Sequence, residues 1–147
     1  MAEENQQAAE QQFAIQKIYL KDVSFEAPNS PAVFTEGEWA PDINVQLNTG
    51  HQAVGQDVYE VVLNITVTAK QNEKTAFLVE LKQAGLFTLS GFPQENLSGM
   101  LGAYCPEALF PFAREAVADF INKGGFPPLL LAQIGRAACR ESGWVGG

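Results

Sequence analysis

The sequence predicts an α+β subunit: a four-stranded antiparallel sheet followed by an amphipathic helix. Three observations lead to this. Between Val58 and Lys70 apolar residues recur at every second position, the period of a half-buried strand. The short polar turn Gln71 to Lys74 sends the chain back through a second run of the same period, which makes a hairpin. Beyond Gly91 and Pro93 the apolar period lengthens to about 3.6 residues, that of a helix. With 147 residues, 46% of them hydrophobic, the chain can build one core and one domain.

The elements follow in order. Residues 1–12 are rich in Gln, Glu and Ala, have no apolar face to bury, and are expected to be disordered. Phe13, Ile15, Ile18, Tyr19, Leu20, Val23 and Phe25 form a first strand with a two-sided apolar run in its middle. Its last part alternates, so Asp22 and Glu26 share a face opposite Val23 and Phe25. Ala27 to Pro41 carries three prolines and Gly37 around Phe34 and Trp39, and reads as a long loop that keeps large apolar residues. Ile43, Val45 and Leu47 make a short strand before a turn-prone stretch from Asn48 to Gly55.

In the hairpin, Tyr59, Val61, Leu63, Ile65 and Val67 line one face of the third strand. Phe77, Val79, Leu81, Phe87 and Leu89 are in phase along the fourth, from Thr75 to Leu89. The opposite face of that strand holds Leu78 and Glu80 where solvent is expected, and Gly85 is expected to weaken it or mark a bulge. In the helical region Pro106 suits a helix start, Pro111 should kink or restart the helix, and Gly124-Gly125 should end it. Phe126 to Gly147 shows neither period.

Composition narrows the function. A formal net charge of -8 disfavours binding to nucleic acid and favours partners with basic or apolar surface. The stretch Met1 to Gln12 carries Glu3, Glu4 and Glu10, where a signal peptide would need basic and then apolar residues. No run of roughly 18 apolar residues exists, so a cytoplasmic protein without membrane insertion is expected. Cys105 and Cys139 stand too far apart in sequence for a CxxC metal motif, and no metal or cofactor is expected.

Candidates for chemistry are few. His51, the single histidine, is expected in a solvated turn, and no phosphate-cradling glycine pattern is present. Cys105 beside Pro106 permits a reactive thiol at a helix start, although a small buried residue suits it better. The chain is therefore read as a binding protein rather than an enzyme. From pattern alone, Asp22, Glu26 and Glu80 read as solvated face. The aromatics Phe34, Trp39, Phe77, Phe87, Tyr104 and Phe110 read first as core and second as an apolar peptide groove.

Several blocks in order carry a specific resemblance. They are Ile15-Gln16-Lys17-Ile18-Tyr19, Lys21 to Asn29, Asp57 to Leu63, Leu101-Gly102-Ala103-Tyr104-Cys105-Pro106, and Leu109 to Glu115. Over roughly Phe13 to Ala132 the chain resembles the bacterial protein-export chaperone SecB family. The resemblance implies a homotetramer, assembled as a dimer of dimers, that holds unfolded precursor proteins without ATP and delivers them to the SecA motor of the Sec pathway. It implies a SecA-binding face at Asp22, Glu26, Leu78 and Glu80, and a client groove at Phe34, Trp39, Phe77 and Phe87. It places subunit contacts at Val79, Leu81, Gln83 and Cys105. The alternative is an oligomeric β-rich adaptor that binds one folded partner through the same acidic face.

The ending departs from the family pattern. After Ala132 the family continues into a second helix and an acidic tail, whereas this chain has Gln133-Ile134-Gly135-Arg136 and stops at Gly147. Residues 133–147 are expected to be foreign to the family, and Ile134 to Gly147 to be read-through of adapter or vector sequence or the result of a frame change. Without the second helix, apolar groove surface is expected to be uncovered.

Overall fold

The computed structural model describes residues 11–129. The first ten residues of the segment expected to be disordered, and all of 133–147, lie outside the described residues; Gln12 already belongs to a strand. The elements are β1 (Gln12–Glu26), β2 (Asp42–Gly55), β3 (Val58–Gln71), β4 (Lys74–Ser90), α1 (Gln94–Gly99) and α2 (Cys105–Lys123), with a short 3-10 turn at Ala32–Thr35. They form the expected four-stranded sheet, in the order β1-β4-β3-β2 with every neighbouring pair antiparallel.

The central strands carry the core. Val61, Leu63, Ile65, Val67 and Ala69 of β3 stand beside Phe77, Val79, Leu81, Phe87 and Leu89 of β4 on one face, all buried. The β3–β4 hairpin turns on Asn72 and Glu73, both at positive φ (55° and 66°), the geometry that matches the twist of the flanking strands. Helix α2 closes this face with Cys105, Leu109, Ala113, Val117 and Ile121, buried at four-residue intervals and packed on β4 and β3.

Strand β1 is longer and less regular than simple alternation allows. Register shifts between Ile15 and Lys17 and between Leu20 and Asp22 each insert one residue. Each insertion resets the phase. Phe13 and Ile15 therefore face Leu89 and Phe87, Ile18 faces Gly85, and Val23 and Phe25 face Leu81 and Val79, all on the helix side. In the two-sided run Ile18 and Leu20 turn toward the helix, and Tyr19 turns to the open face. The bulge expected at Gly85 lies in the partner strand instead, and Gly85 is paired on both sides, with Ile18 and Val61. A Cβ there would stand 3.0 Å from Leu109 Cδ2 and Phe87 Cε1 and 3.3 Å from the Lys17 carbonyl oxygen, so glycine lets α2 approach the sheet.

Strand β2 corrects the expectation of a short strand and a polar turn. It continues through Thr49, Gly50 and His51 to Gly55, because main-chain pairing with β3 from Leu63 back to Val58 needs no apolar side chain. His51 is thus an exposed strand residue opposite Val61.

The chain stays helical from Gln94 to Lys123, with a wider π turn at Met100–Tyr104. That turn ends two residues before Pro106, which has no N–H to give the preceding turn. Pro111 does not restart the helix, since Cys105–Lys123 form one α-helix around it. The glycine pair ends it as expected. Gly125 takes φ +89°, its N–H donates to the Asn122 carbonyl at 3.0 Å, and the Phe126 N–H donates to the Ile121 carbonyl at 3.2 Å, which together form a Schellman end. No helix among the described residues is long and apolar enough to cross a membrane.

Candidate functional site

The sheet has one face closed by α2 and one open. The pairing of β1 with β4 sets Ser24 against Glu80, Glu26 against Leu78 and Asp22 against Lys82, so the four acidic-face residues named from the resemblance share the open face. Asp22, Glu26 and Glu80 are exposed, and Leu78 is half-buried between them. Asp22, Ser24 and Glu80 also line a shallow depression of about 340 Å³, together with Asn64 and Lys82. None of the ion pairs among the described residues involves these three carboxylates.

Beside this patch the open face is tied together by a residue that alternation marks only as polar. Glu60 of β3 is 7% exposed and accepts three hydrogen bonds, from two other strands. Tyr19 Oη of β1 donates to its Oε2 at 2.6 Å, Lys21 Nζ of β1 to its Oε1 at 2.9 Å, and Gln52 Nε2 of β2 to the same oxygen at 3.2 Å. Tyr19 reaches Glu60 because its neighbour on the intervening strand is the small Ala84. The Tyr19 and Lys21 hydrogen bonds hold the Glu60 carboxyl below the usual range against the opposing effect of burial. Burial, then the Glu60 hydrogen bond and charge, push the Tyr19 phenol up to about 12.

The four expected groove residues separate into two pairs. Phe77 and Phe87 have no exposed surface and belong to the core, which corrects their reading as groove-lining side chains. Phe34 is 49% exposed and Trp39 half-buried, and both rest on Phe126, with ring centroids 5.1 and 5.4 Å away. Phe126 in turn packs on Phe77 at 4.9 Å, so the core aromatic is the floor beneath the exposed one. The loop that carries Phe34 and Trp39 is fastened by buried Gln71, which donates to the Glu38 carbonyl at 2.6 Å and accepts from the Ala40 N–H at 3.1 Å.

Apart from Tyr104, further apolar surface went unrecognised in the sequence. One depression of about 770 Å³ is lined by Phe13, Phe92, Met100 and Tyr104, and another of about 600 Å³ by Ile18, Leu20, Phe112 and Ala116. Leu20 (44%), Phe112 (45%) and Tyr104 (53%) remain well exposed there. A helical projection of Phe112 against the buried row Leu109, Ala113 and Val117 would have flagged it.

The residues assigned to subunit contacts lie inside this subunit. Val79, Leu81 and Gln83 of β4 and Cys105 of α2 are between 0% and 4% exposed, where the helix meets the sheet. Burial pushes the Cys105 thiol up to about 11, which keeps it protonated and removes its nucleophilic character. Among the described residues no three His, Cys, Asp or Glu side chains gather as metal ligands.

An α+β subunit with an acidic open sheet face, and apolar depressions around its helix, is built for binding. A sequence profile described as preprotein translocase subunit SecB matches residues 6–139, beyond both ends of the region outlined by the resemblance. The protein-export protein SecB of Nitrosococcus oceani is 59% identical over 91% of this chain and 86% of its own length. That of Methylococcus capsulatus is 59% identical over 91% and 85%. The fold is similar to a SecB-like chaperone of Mycobacterium tuberculosis solved with an antitoxin peptide, with a TM-score of 0.67 at 20% identity over 85% of this chain and 91% of that one. This chain belongs to the SecB family.

Proposed function

We propose that this chain holds unfolded precursor proteins in the cytoplasm without consuming nucleotide and passes them to SecA. The observation that carries the reading is the division of its surface. Asp22, Glu26 and Glu80 gather on the open face of the sheet, while the exposed apolar groups Phe34, Tyr104, Phe112 and Leu20 lie around the loop and helix. A docking partner and an apolar client can then be bound at once. Extended clients suit such surfaces, where many weak apolar contacts and main-chain hydrogen bonds hold a chain without reading its sequence.

Assembly as a dimer of dimers belongs to the same proposal. Strand β1 is an edge strand with Ile15 and Leu20 over two-fifths exposed, a surface that favours covering by another chain. Val79, Leu81, Gln83 and Cys105 would act on that assembly through the seating of α2 on the sheet.

The test is client breadth. Unrelated proteins are offered in unfolded and in native form, and bound complexes are weighed by light scattering. The chaperone reading predicts capture of many unfolded chains and of none of their native forms. Binding of a single folded protein with indifference to unfolded ones would establish an adaptor instead.

A further inference from the structure

Lys82 stands among carboxylates with which it does not pair. The β1–β4 register sets Asp22 directly opposite it, and Glu80 lies two residues before it on the same face of β4. Opposed side chains in antiparallel strands start roughly 5 Å apart, well within the reach of a lysine, and opposite charges so placed attract. Yet the Lys82 ammonium turns the other way, toward β3, and donates to Asn64 Oδ1 at 3.1 Å. Asn64 Nδ2 in turn donates to Asn48 Oδ1 on β2 at 2.7 Å.

The relay has a direction fixed by its chemistry. With the Asn64 amide nitrogen engaged by Asn48, its carbonyl oxygen is left aimed at Lys82; the flipped amide would set an NH2 group against an ammonium. Pairing strengths at an exposed site are small, so a hydrogen-bonding amide on one side can outcompete a carboxylate on the other. Asp22, Glu80, Asn48, Asn64 and Lys82 all line the same depression on the open face.

We propose that the Asn48–Asn64 pair is a positioning device that holds Lys82 away from Asp22 and Glu80 and so keeps both carboxylates open to cationic side chains of the docking partner. The proposal rests on the reading of this face as the SecA-docking surface. Lys82 is then an internal competitor for the partner's own basic groups, restrained by two asparagines. Removing the restraint lets the ammonium swing across to Asp22 and Glu80 and neutralise part of the face. Removing the ammonium itself makes the face more acidic and its restraint irrelevant.

The experiment measures binding of purified SecA to the full chain by calorimetry at low salt, for the native sequence and for Glu80→Lys, Asn64→Leu, Lys82→Gln and the double variant N64L/K82Q, each first shown to melt cooperatively. Asn64→Leu is expected to weaken binding about three- to five-fold, the scale of one exposed ion pair. Lys82→Gln is expected to bind as well as the native chain or better, and the double variant to match Lys82→Gln. Rescue by the second substitution is the outcome that a merely structural role for Asn64 would not give. If Asn64→Leu binds unchanged while Glu80→Lys loses binding, the docking face stands and the relay is wrong. If Asn64→Leu is weakened and Lys82→Gln does not restore it, Asn64 acts by another route and the relay is again wrong. If Glu80→Lys binds unchanged, the docking reading itself fails and takes the relay with it.

Discussion

Tyr19 on the edge strand β1 donates a 2.6 Å hydrogen bond to Glu60 on β3, passing over β4 at Ala84. With Lys21 and Gln52 it makes Glu60 a carboxylate that ties β1, β3 and β2 together on the open face. Glu60→Ala should strand these donors and cost about 1–3 kcal/mol in a denaturant titration. The pH dependence follows from the signs. The Glu60 carboxyl is lowered in the folded state, so its contribution is present above the unfolded carboxyl's range and is lost as pH falls through the folded value. The deficit of Glu60→Gln relative to the native chain should therefore be full at neutral pH and shrink in acid. Tyr19, pushed up to about 12, stays neutral after the unfolded phenol has ionised, so stability should fall between pH about 10 and 12, and Tyr19→Phe should remove that limb.

Glu80→Lys or Asp22→Lys should weaken SecA binding about ten-fold or more at low salt, and less at high salt, while client holding is retained. The two carboxylates are exposed on the open face and touch none of the apolar depressions around α2. Equal loss of SecA and client binding, measured by calorimetry and by client capture, would refute the separation of the two surfaces.

Alternation put Asp22 and Glu26 on one face of one strand and Leu78 and Glu80 on one face of another, but by itself read them as solvated; the family resemblance joined them into one acidic face. Its other half was not legible. To set Asn64 beside Lys82, and Lys82 beside Asp22, requires the register of three strands, and the shift between Leu20 and Asp22 in β1 leaves no trace in hydropathy. The outer half of β2 was missed for a related reason: its pairing is main-chain, and side chains such as Gly50 and Gln52 give no apolar signal. Phe77 and Phe87 read first as core, and the resemblance moved them to the groove, since period two assigns a face and says nothing about whether a helix covers it.

Phe126→Ala should cost about 3–5 kcal/mol, in line with the loss of a buried aromatic. Phe126 is 3% exposed and joins Phe34, Trp39 and Phe77 into one stack, so its loss also unseats the loop from Ala27 to Pro41. Limited proteolysis should then cut within that loop much faster than in the native chain, and client affinity should fall with it.

Gly85→Ala should destabilise by about 1–3 kcal/mol, because the added methyl meets Leu109 and Phe87 at 3.0 Å and the Lys17 backbone at 3.3 Å. Leu109 can yield more easily than backbone. The double variant G85A/L109A should therefore lose less than the sum of its single losses, which a double-mutant cycle on melting data measures directly.

The central claim is that the chain arrests folding by holding unfolded polypeptide. The most direct measurement dilutes a slow-folding precursor from denaturant into the purified full chain without ATP, and follows refolding yield together with the mass of any complex. The account predicts that refolding stops in a stoichiometric complex of tetramer plus one client, and that release restores the native yield. Refolding at the unassisted rate, with no complex formed, would contradict it.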